Sequence, residues 1–151
     1  MAVSRQVLKQ VLYDNQKDIE RYDVLERDFD LDSFPLLLFV GVRRCGKSFL
    51  LYQKIHAMLA SGHSWAEMLY VDFEDTRLEG FSAEDFNLIL ECHQEMYGQR
   101  PMLFLDEVQN VDGWEKFARN LADKKYSVFI TGSNAKMLSR EVMSTLGGRY
   151  I

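Results

Sequence analysis

A glycine-rich segment at residues 41–48, with the sequence GVRRCGKS, constrains the fold more than any other part of the chain. It fits the pattern G-x-x-x-x-G-K-[ST] of a phosphate-binding loop. An apolar run at residues 35–40 precedes it, and a run rich in helix formers follows from Phe49, which predicts a strand, a loop and a helix in that order. Loop amides and the positive end of the helix would then face a bound anion. The segment therefore predicts a nucleotide site in an α/β fold.

Each part of this loop has a predicted role. Glycine at two positions keeps side chains away from the phosphate oxygens. Lys47 is expected to reach the β- and γ-phosphates, and the Ser48 hydroxyl to bind Mg²⁺. The predicted nucleotide-binding residues are Gly41, Val42, Arg43, Arg44, Cys45, Gly46, Lys47, Ser48 and Phe49.

A second apolar run, residues 101–105, ends in two adjacent carboxylates, Asp106 and Glu107. A carboxylate at the end of a parallel strand beside the loop can accept hydrogen bonds from waters on Mg²⁺, so Asp106 joins Ser48 as a predicted metal residue. Glu107 is expected to polarise an attacking water as a general base. The alternative is a strand that simply ends in two solvated acids.

Composition limits the range of functions. With 151 residues, of which 47% are hydrophobic, the chain is long enough for one globular domain with a sizeable core. A net charge of −5 argues against direct nucleic-acid binding, which relies on clustered basic residues. Two cysteines suggest no disulfide framework, and no apolar run approaches the ~20 residues that span a bilayer. We expect a cytoplasmic protein without a membrane partner.

Strand and helix patterns alternate along the chain. Residues 1–33 are predicted to be a helical extension, and residues 34–151 the nucleotide-binding core. Further strands are predicted at 68–73 and 126–131, with helices capped at Ser82 and Asp112. Alternation implies parallel pairing and a three-layer α/β domain with its ligand at the carboxyl ends of the strands.

Polar residues follow two of these strands. Ser133 or Asn134, after the last strand, could sense the γ-phosphate or orient the attacking water, and we favour Asn134 for the catalytic set; the alternative is a cap for a helix that begins at residue 135. Asp72 and the acids at 74 and 75 could help hold a remote substrate or a metal-bound water, or could be ordinary charged loop residues.

Taken in order, the loop and the segments 70–75, 105–109, 130–134 and 148–150 resemble a prokaryotic AAA-superfamily ATPase, in the group whose ATPase domain is followed by an uncharacterised C-terminal domain. The resemblance covers residues 36–151. It implies the additional-strand type of P-loop fold, with the last strand between the loop strand and the strand of Asp106. It also implies ATP as the ligand, and it matches Arg149 to the arginine of a Gly-Arg-Tyr segment, where it could act in cis, in trans or not at all.

The resemblance also implies what the chain lacks. The fifth strand, the lid region and the C-terminal domain are missing, so we expect an N-terminal fragment with weak activity by itself. The leading hypothesis is Mg²⁺-dependent ATP hydrolysis coupled to conformational change in absent domains. Alternatives are a slowly hydrolysing signalling switch and a nucleic-acid-associated ATPase. A macromolecular partner would bind through the missing region, and a homo-oligomer is one arrangement to test.

Overall fold

The structure is a computed structural model that describes residues 3–22, 36–40 and 47–132. Its helices are α1 (Arg5–Arg21), α2 (Lys47–Ala60), α3 (Phe86–Tyr97) and α4 (Trp114–Asp123), and its strands are β1 (Leu36–Val40), β2 (Met68–Asp72), β3 (Met102–Asp106) and β4 (Val128–Gly132). Short 3-10 turns span Trp65–Glu67, Thr76–Leu78, Ala83–Asp85 and Val108–Asn110.

The four strands form one sheet in the order β1-β4-β3-β2, and all neighbouring pairs are parallel. Strand β4 lies between β1 and β3, so the predicted position of the last strand is confirmed. Since parallel strands end at the same edge, the ends of β1, β3 and β4 lie together. The last residues of these three strands are therefore brought to one place.

Both faces of the sheet are covered by helices. Alternate strand residues project to opposite faces, as the pleat of a strand requires. On one face, apolar side chains of β2, β3 and β4 pack against α1, α3 and α4, including Leu69, Val71, Leu103, Leu105, Val128 and Ile130. On the other face, Met68, Tyr70, Phe104 and Phe129 pack against Leu51 and Ile55 of α2. The three-layer α/β prediction is confirmed.

Helix α1 runs beside β2, the last strand in the sheet order. Its residues Leu8, Val11 and Leu12 belong to the first apolar cluster, whereas Ile19 belongs to the second. A helix that contributes to clusters on opposite faces must pass the edge between them, and it thereby shields an edge that would otherwise be open to pairing. An ion pair of 2.6 Å between Asp14 and Arg77 fastens the helix to the turn after β2.

The two predicted helix caps have different outcomes. Helix α3 follows the predicted cap at Ser82, whose backbone N–H bonds the Asp85 carboxylate at 2.9 Å. The predicted cap at Asp112 is wrong, because α4 begins after Gly113, whose φ of 84° is left-handed and which makes no side-chain capping bond. Glycine adopts that conformation at little cost, so the chain enters α4 without a capping carboxylate. Of the predicted extension, residues 1–2 and 23–33 lie outside the described part.

Candidate nucleotide site

The site lies where the first turn of α2 meets the carboxyl ends of β3 and β4. Ser48, in that first turn, donates from Oγ to Asp106 Oδ1 at 2.9 Å. The two residues are 58 positions apart in the chain. The two sequence motifs predicted to share one metal ion therefore converge on each other.

Asp106 is a buried carboxylate surrounded by hydroxyl groups. The residue is only 1% exposed to solvent. Besides Ser48, the Thr131 hydroxyl donates to Oδ1, and the Tyr70 hydroxyl donates to Oδ2 at 2.5 Å. Both carboxylate oxygens thus have donors, as a buried charged group requires.

Opposing effects act on the pKa of Asp106. Burial raises the pKa of this carboxyl above its usual value, and the nearby Glu107 carboxylate adds to the increase. Hydrogen bonds from Thr131, Tyr70 and Ser48 lower it, because they stabilise the ionised form. Burial and the Asp106 charge also raise the pKa of Tyr70 well above its usual range, so that its phenol is a neutral donor.

Glu107 has an uncommon backbone conformation. Its φ of 56° and ψ of 48° are left-handed, although it is not glycine. Its N–H donates to Thr131 Oγ1 at 2.9 Å, and the Asn110 side chain donates to its carbonyl at 2.9 Å. Gln109 Nε2 donates to Glu107 Oε2 at 2.7 Å. Residues held in such conformations cluster at functional sites, which agrees with a chemical role for this carboxylate.

An aromatic cluster, made of Tyr22, Phe49, Tyr52 and Tyr70, extends from the Asp106 carboxylate toward solvent. Its ring centroids are 4.9 Å apart for Tyr22 and Tyr52, 5.5 Å for Phe49 and Tyr52, and 5.8 Å for Tyr52 and Tyr70. Tyr70 is buried, whereas Phe49 is 50% exposed and Tyr22 is 41% exposed. The cluster therefore offers aromatic surface next to Ser48.

The acids at the end of β2 and just beyond it take different positions. Asp72 pairs with Asp106 in the register of β2 and β3, and burial raises the pKa of Asp72 to about 6. Asp75 is instead bound by Arg77 through an ion pair of 2.8 Å. Within the described residues, no group of three His, Cys, Asp or Glu side chains is placed to hold a metal ion. Mg²⁺ commonly takes phosphate and water ligands besides protein carboxylates.

The donor set of Ser48 and Asp106 fits Mg²⁺ bound in that way. Mg²⁺ prefers oxygen ligands and retains several waters, and its protein sites commonly use one or two carboxylates together with substrate phosphates. A hydroxyl in contact with a buried carboxylate would supply one oxygen for such an ion and one acceptor for its waters.

Many of the predicted site residues lie outside the described part of the chain. Those outside the described residues are Gly41, Val42, Arg43, Arg44, Cys45, Gly46, Ser133, Asn134 and Arg149. Lys47 is described as the first residue of α2, the position expected for the lysine of a phosphate loop.

Sequence reasoning missed Tyr70, Thr131 and Gln109 as neighbours of the two carboxylates. A signal was available for two of them. A hydroxyl-bearing residue in an otherwise apolar buried strand needs a hydrogen-bond partner, and both Tyr70 and Thr131 stand in such strands.

Comparison with known sequences agrees with this geometry. The sequence profile of the AAA domain family matches residues 33–151, which is most of the chain. The chain belongs to the AAA domain family. Membership indicates a nucleotide-binding domain of the ATPase type, and it confirms the resemblance drawn from the ordered motifs.

Relatives of this AAA domain include uncharacterized proteins. One, from Methanocaldococcus jannaschii, is 34% identical over 147 residues, which cover 96% of this chain and 32% of the relative. Another, from Haemophilus influenzae, is 34% identical over 113 residues, covering 74% of this chain and 28% of the relative. The chain thus spans about a third of the length of these relatives. None of the helices in the described residues is long and apolar enough to cross a membrane.

Proposed function

We propose that this AAA domain binds ATP with Mg²⁺ and hydrolyses its terminal phosphoanhydride bond. The observation that carries the proposal is the 2.9 Å hydrogen bond between Ser48 Oγ and Asp106 Oδ1. Chance matches to two short motifs would not be expected to bring together a hydroxyl at the start of the loop helix and a buried carboxylate at the end of a neighbouring strand.

Each side chain of the site has one role in the proposed reaction. Ser48 and Asp106 would hold Mg²⁺, which neutralises developing charge on the phosphate oxygens. Lys47 and the loop amides would bind the phosphates, and Asn134 would orient the attacking water. The water oxygen bonds to the γ-phosphorus while the bond to the β–γ bridging oxygen breaks. The Glu107 carboxylate accepts the water's proton, and ADP and inorganic phosphate leave.

The division at residue 33 is also a proposal. It is supported by the family match, which begins at residue 33. Helix α1, before that boundary, nevertheless completes both apolar clusters and shields β2. We therefore propose that helix α1 is a structural part of the folded unit. We also propose that binding of a macromolecular partner, any oligomerisation and any role of Arg149 depend on the whole protein.

The test of the proposal is the Mg²⁺ dependence of ATP binding. In the whole protein, Mg²⁺ should strengthen ATP binding. Asp106→Asn should reduce this strengthening by Mg²⁺ about 10- to 100-fold, which is the range for groups that orient metal ligands. Isothermal titration calorimetry with ATP, in Mg²⁺ and in EDTA, measures it. Asp123→Asn, at an exposed acid on α4, is the matched control. If ATP does not bind, or binds equally in Mg²⁺ and EDTA, the proposal is wrong.

Phe49 and Tyr22 are proposed to contact the base of the nucleotide. Their rings lie 6.4 Å apart, both are well exposed, and Phe49 directly follows Ser48. Base stacking on an aromatic side chain contributes about 1–3 kcal/mol. Phe49→Ala should therefore raise the Kd for ATP about tenfold and leave the Kd for inorganic tripolyphosphate unchanged.

Competition binding with both ligands measures this difference. Tyr13→Ala is the control, since Tyr13 is another aromatic residue that is 48% exposed, on α1. An equal loss of affinity for ATP and tripolyphosphate would contradict base contact, because tripolyphosphate carries no base.

A further inference from the structure

Tyr70 has a buried hydroxyl directed at the carboxylate of the site. The residue is 4% exposed, and its ring packs in the apolar cluster beneath α2. Its position in β2 pairs with Phe104, two residues before Asp106 on β3. Alternate residues of a strand share a face, so Tyr70, Phe104 and Asp106 all face α2. The phenol therefore needs to reach only two residues along the neighbouring strand to meet Asp106.

The donors to Asp106 are divided between its two oxygens. Ser48 and Thr131 both donate to Oδ1. Among the described residues, Tyr70 is the donor to Oδ2, at 2.5 Å. Rotation about the bond between the β-carbon and the carboxylate carbon moves both oxygens together, so donors at both oxygens oppose it more strongly than donors at one. Tyr70 thus adds to the hold on the Asp106 carboxylate plane from the Oδ2 side.

Tyr52 supports the same hydroxyl from the other side. The two phenolic oxygens are 3.3 Å apart, and their ring centroids are 5.8 Å apart. Because the Tyr70 proton goes to Asp106, the Tyr52 hydroxyl is the donor in this contact. Tyr70 therefore both donates and accepts, which fixes the rotation of its hydroxyl group.

We propose that Tyr70 is a positioning residue that orients Asp106 for the divalent metal of the site. The proposal rests on the proposed nucleotide function. It adds a residue that lies in neither the phosphate-binding loop nor the segment that ends in Asp106 and Glu107. Removing the hydroxyl should leave Ser48 and Thr131 bound to Oδ1 but free Oδ2. Part of the free energy of metal binding would then be used to order the Asp106 carboxylate, so the affinity of the site for the metal should fall.

The experiment measures metal affinity directly, without turnover. Mn²⁺ replaces Mg²⁺ as a paramagnetic probe, and electron paramagnetic resonance counts free Mn²⁺ in titrations of the whole protein with ATP present. Tyr70→Phe should raise the Kd for Mn²⁺ about tenfold, the lower end of the range for partners of metal ligands. Its Kd for ATP in EDTA should be unchanged. Tyr97→Phe is the matched control, since it removes a phenol that bonds the Gln16 side chain of α1 instead.

A double variant tests whether Tyr70 acts through Asp106. In an Asp106→Asn background, Tyr70→Phe should cause no further loss of Mn²⁺ affinity. Additive losses would overturn the proposal. So would a Tyr70→Phe protein with the parent's Mn²⁺ affinity but a lower melting temperature, or one that does not fold, because its hydroxyl would then serve the fold alone. If the parent protein itself shows no ATP-dependent Mn²⁺ binding, the proposed function fails as well; a parent that binds Mn²⁺ beside an unaffected Tyr70→Phe variant removes Tyr70 alone.

Discussion

Replacing Lys47 with alanine should abolish tight ATP binding. Lys47 is the first residue of α2, directly before Ser48, whose hydroxyl contacts Asp106. A lysine at that position would place its ammonium group between the β- and γ-phosphates. Hydrogen bonds to charged groups contribute about 1.5–3 kcal/mol each, so losing contacts to two phosphates should raise the Kd at least about 100-fold.

Titration calorimetry with ATP and Mg²⁺ decides this prediction. The control is Lys116→Ala, at an exposed lysine on α4 far along the chain from the loop. It should bind ATP with the parent's Kd. The circular dichroism spectra of the parent and the two variants should be the same, which would show that all three are folded alike. An unchanged Kd for ATP in Lys47→Ala would show that the loop is not part of the binding site, whatever the roles of Asp106 and Glu107.

The meeting of Ser48 and Asp106 could be predicted from the sequence. Each residue stands at the end of a recognisable pattern, the first after a glycine-rich loop and the second after an apolar strand. In a parallel sheet all strands end at the same edge, so patterns far apart in the chain converge there. That argument needs the direction of the strands but not their register, and direction follows from the alternation of strands with helices.

The partners of Asp106 could not be predicted in this way. The contact with Tyr70 depends on the register of β2 against β3, which pairs Tyr70 with Phe104. A shift of one residue would turn every side chain of β2 to the other face. Sequence periodicity does not fix that register, because most of β2 is buried on both faces and reads as one apolar run.

The conformation of Glu107 also had no sequence signal. The alternation of side chains along a strand would predict that Glu107 points opposite to Asp106. Strand β3 ends at Asp106, however, and Glu107 is left-handed at the start of the turn Val108–Asn110. Alternation does not apply beyond the last strand residue, so its direction is set by bonds from Asn110 and Gln109.

Replacing Glu107 with glutamine should stop turnover and preserve binding. Glutamine has the same shape and can occupy the same left-handed position, but its amide does not accept the proton of an attacking water. General-base catalysis typically contributes about 10²- to 10⁴-fold, so the rate of phosphate release should fall at least about 100-fold. The Kd for ATP should stay within about twofold of the parent value, since Glu107 lies beyond the predicted phosphate-binding residues.

Phosphate release under single-turnover conditions, with calorimetry for the Kd, measures both quantities on the whole protein. Glu79→Gln, at an exposed acid after β2, is the control and should turn over ATP at the parent rate. The two competing functions separate here. An ATPase that relies on Glu107 loses its activity in the variant, whereas a slow switch that does not use a base keeps its low rate. Phosphate release at the parent rate in Glu107→Gln would therefore favour the switch, and it would leave the left-handed conformation of Glu107 to be explained by the bonds it makes with Thr131 and Asn110.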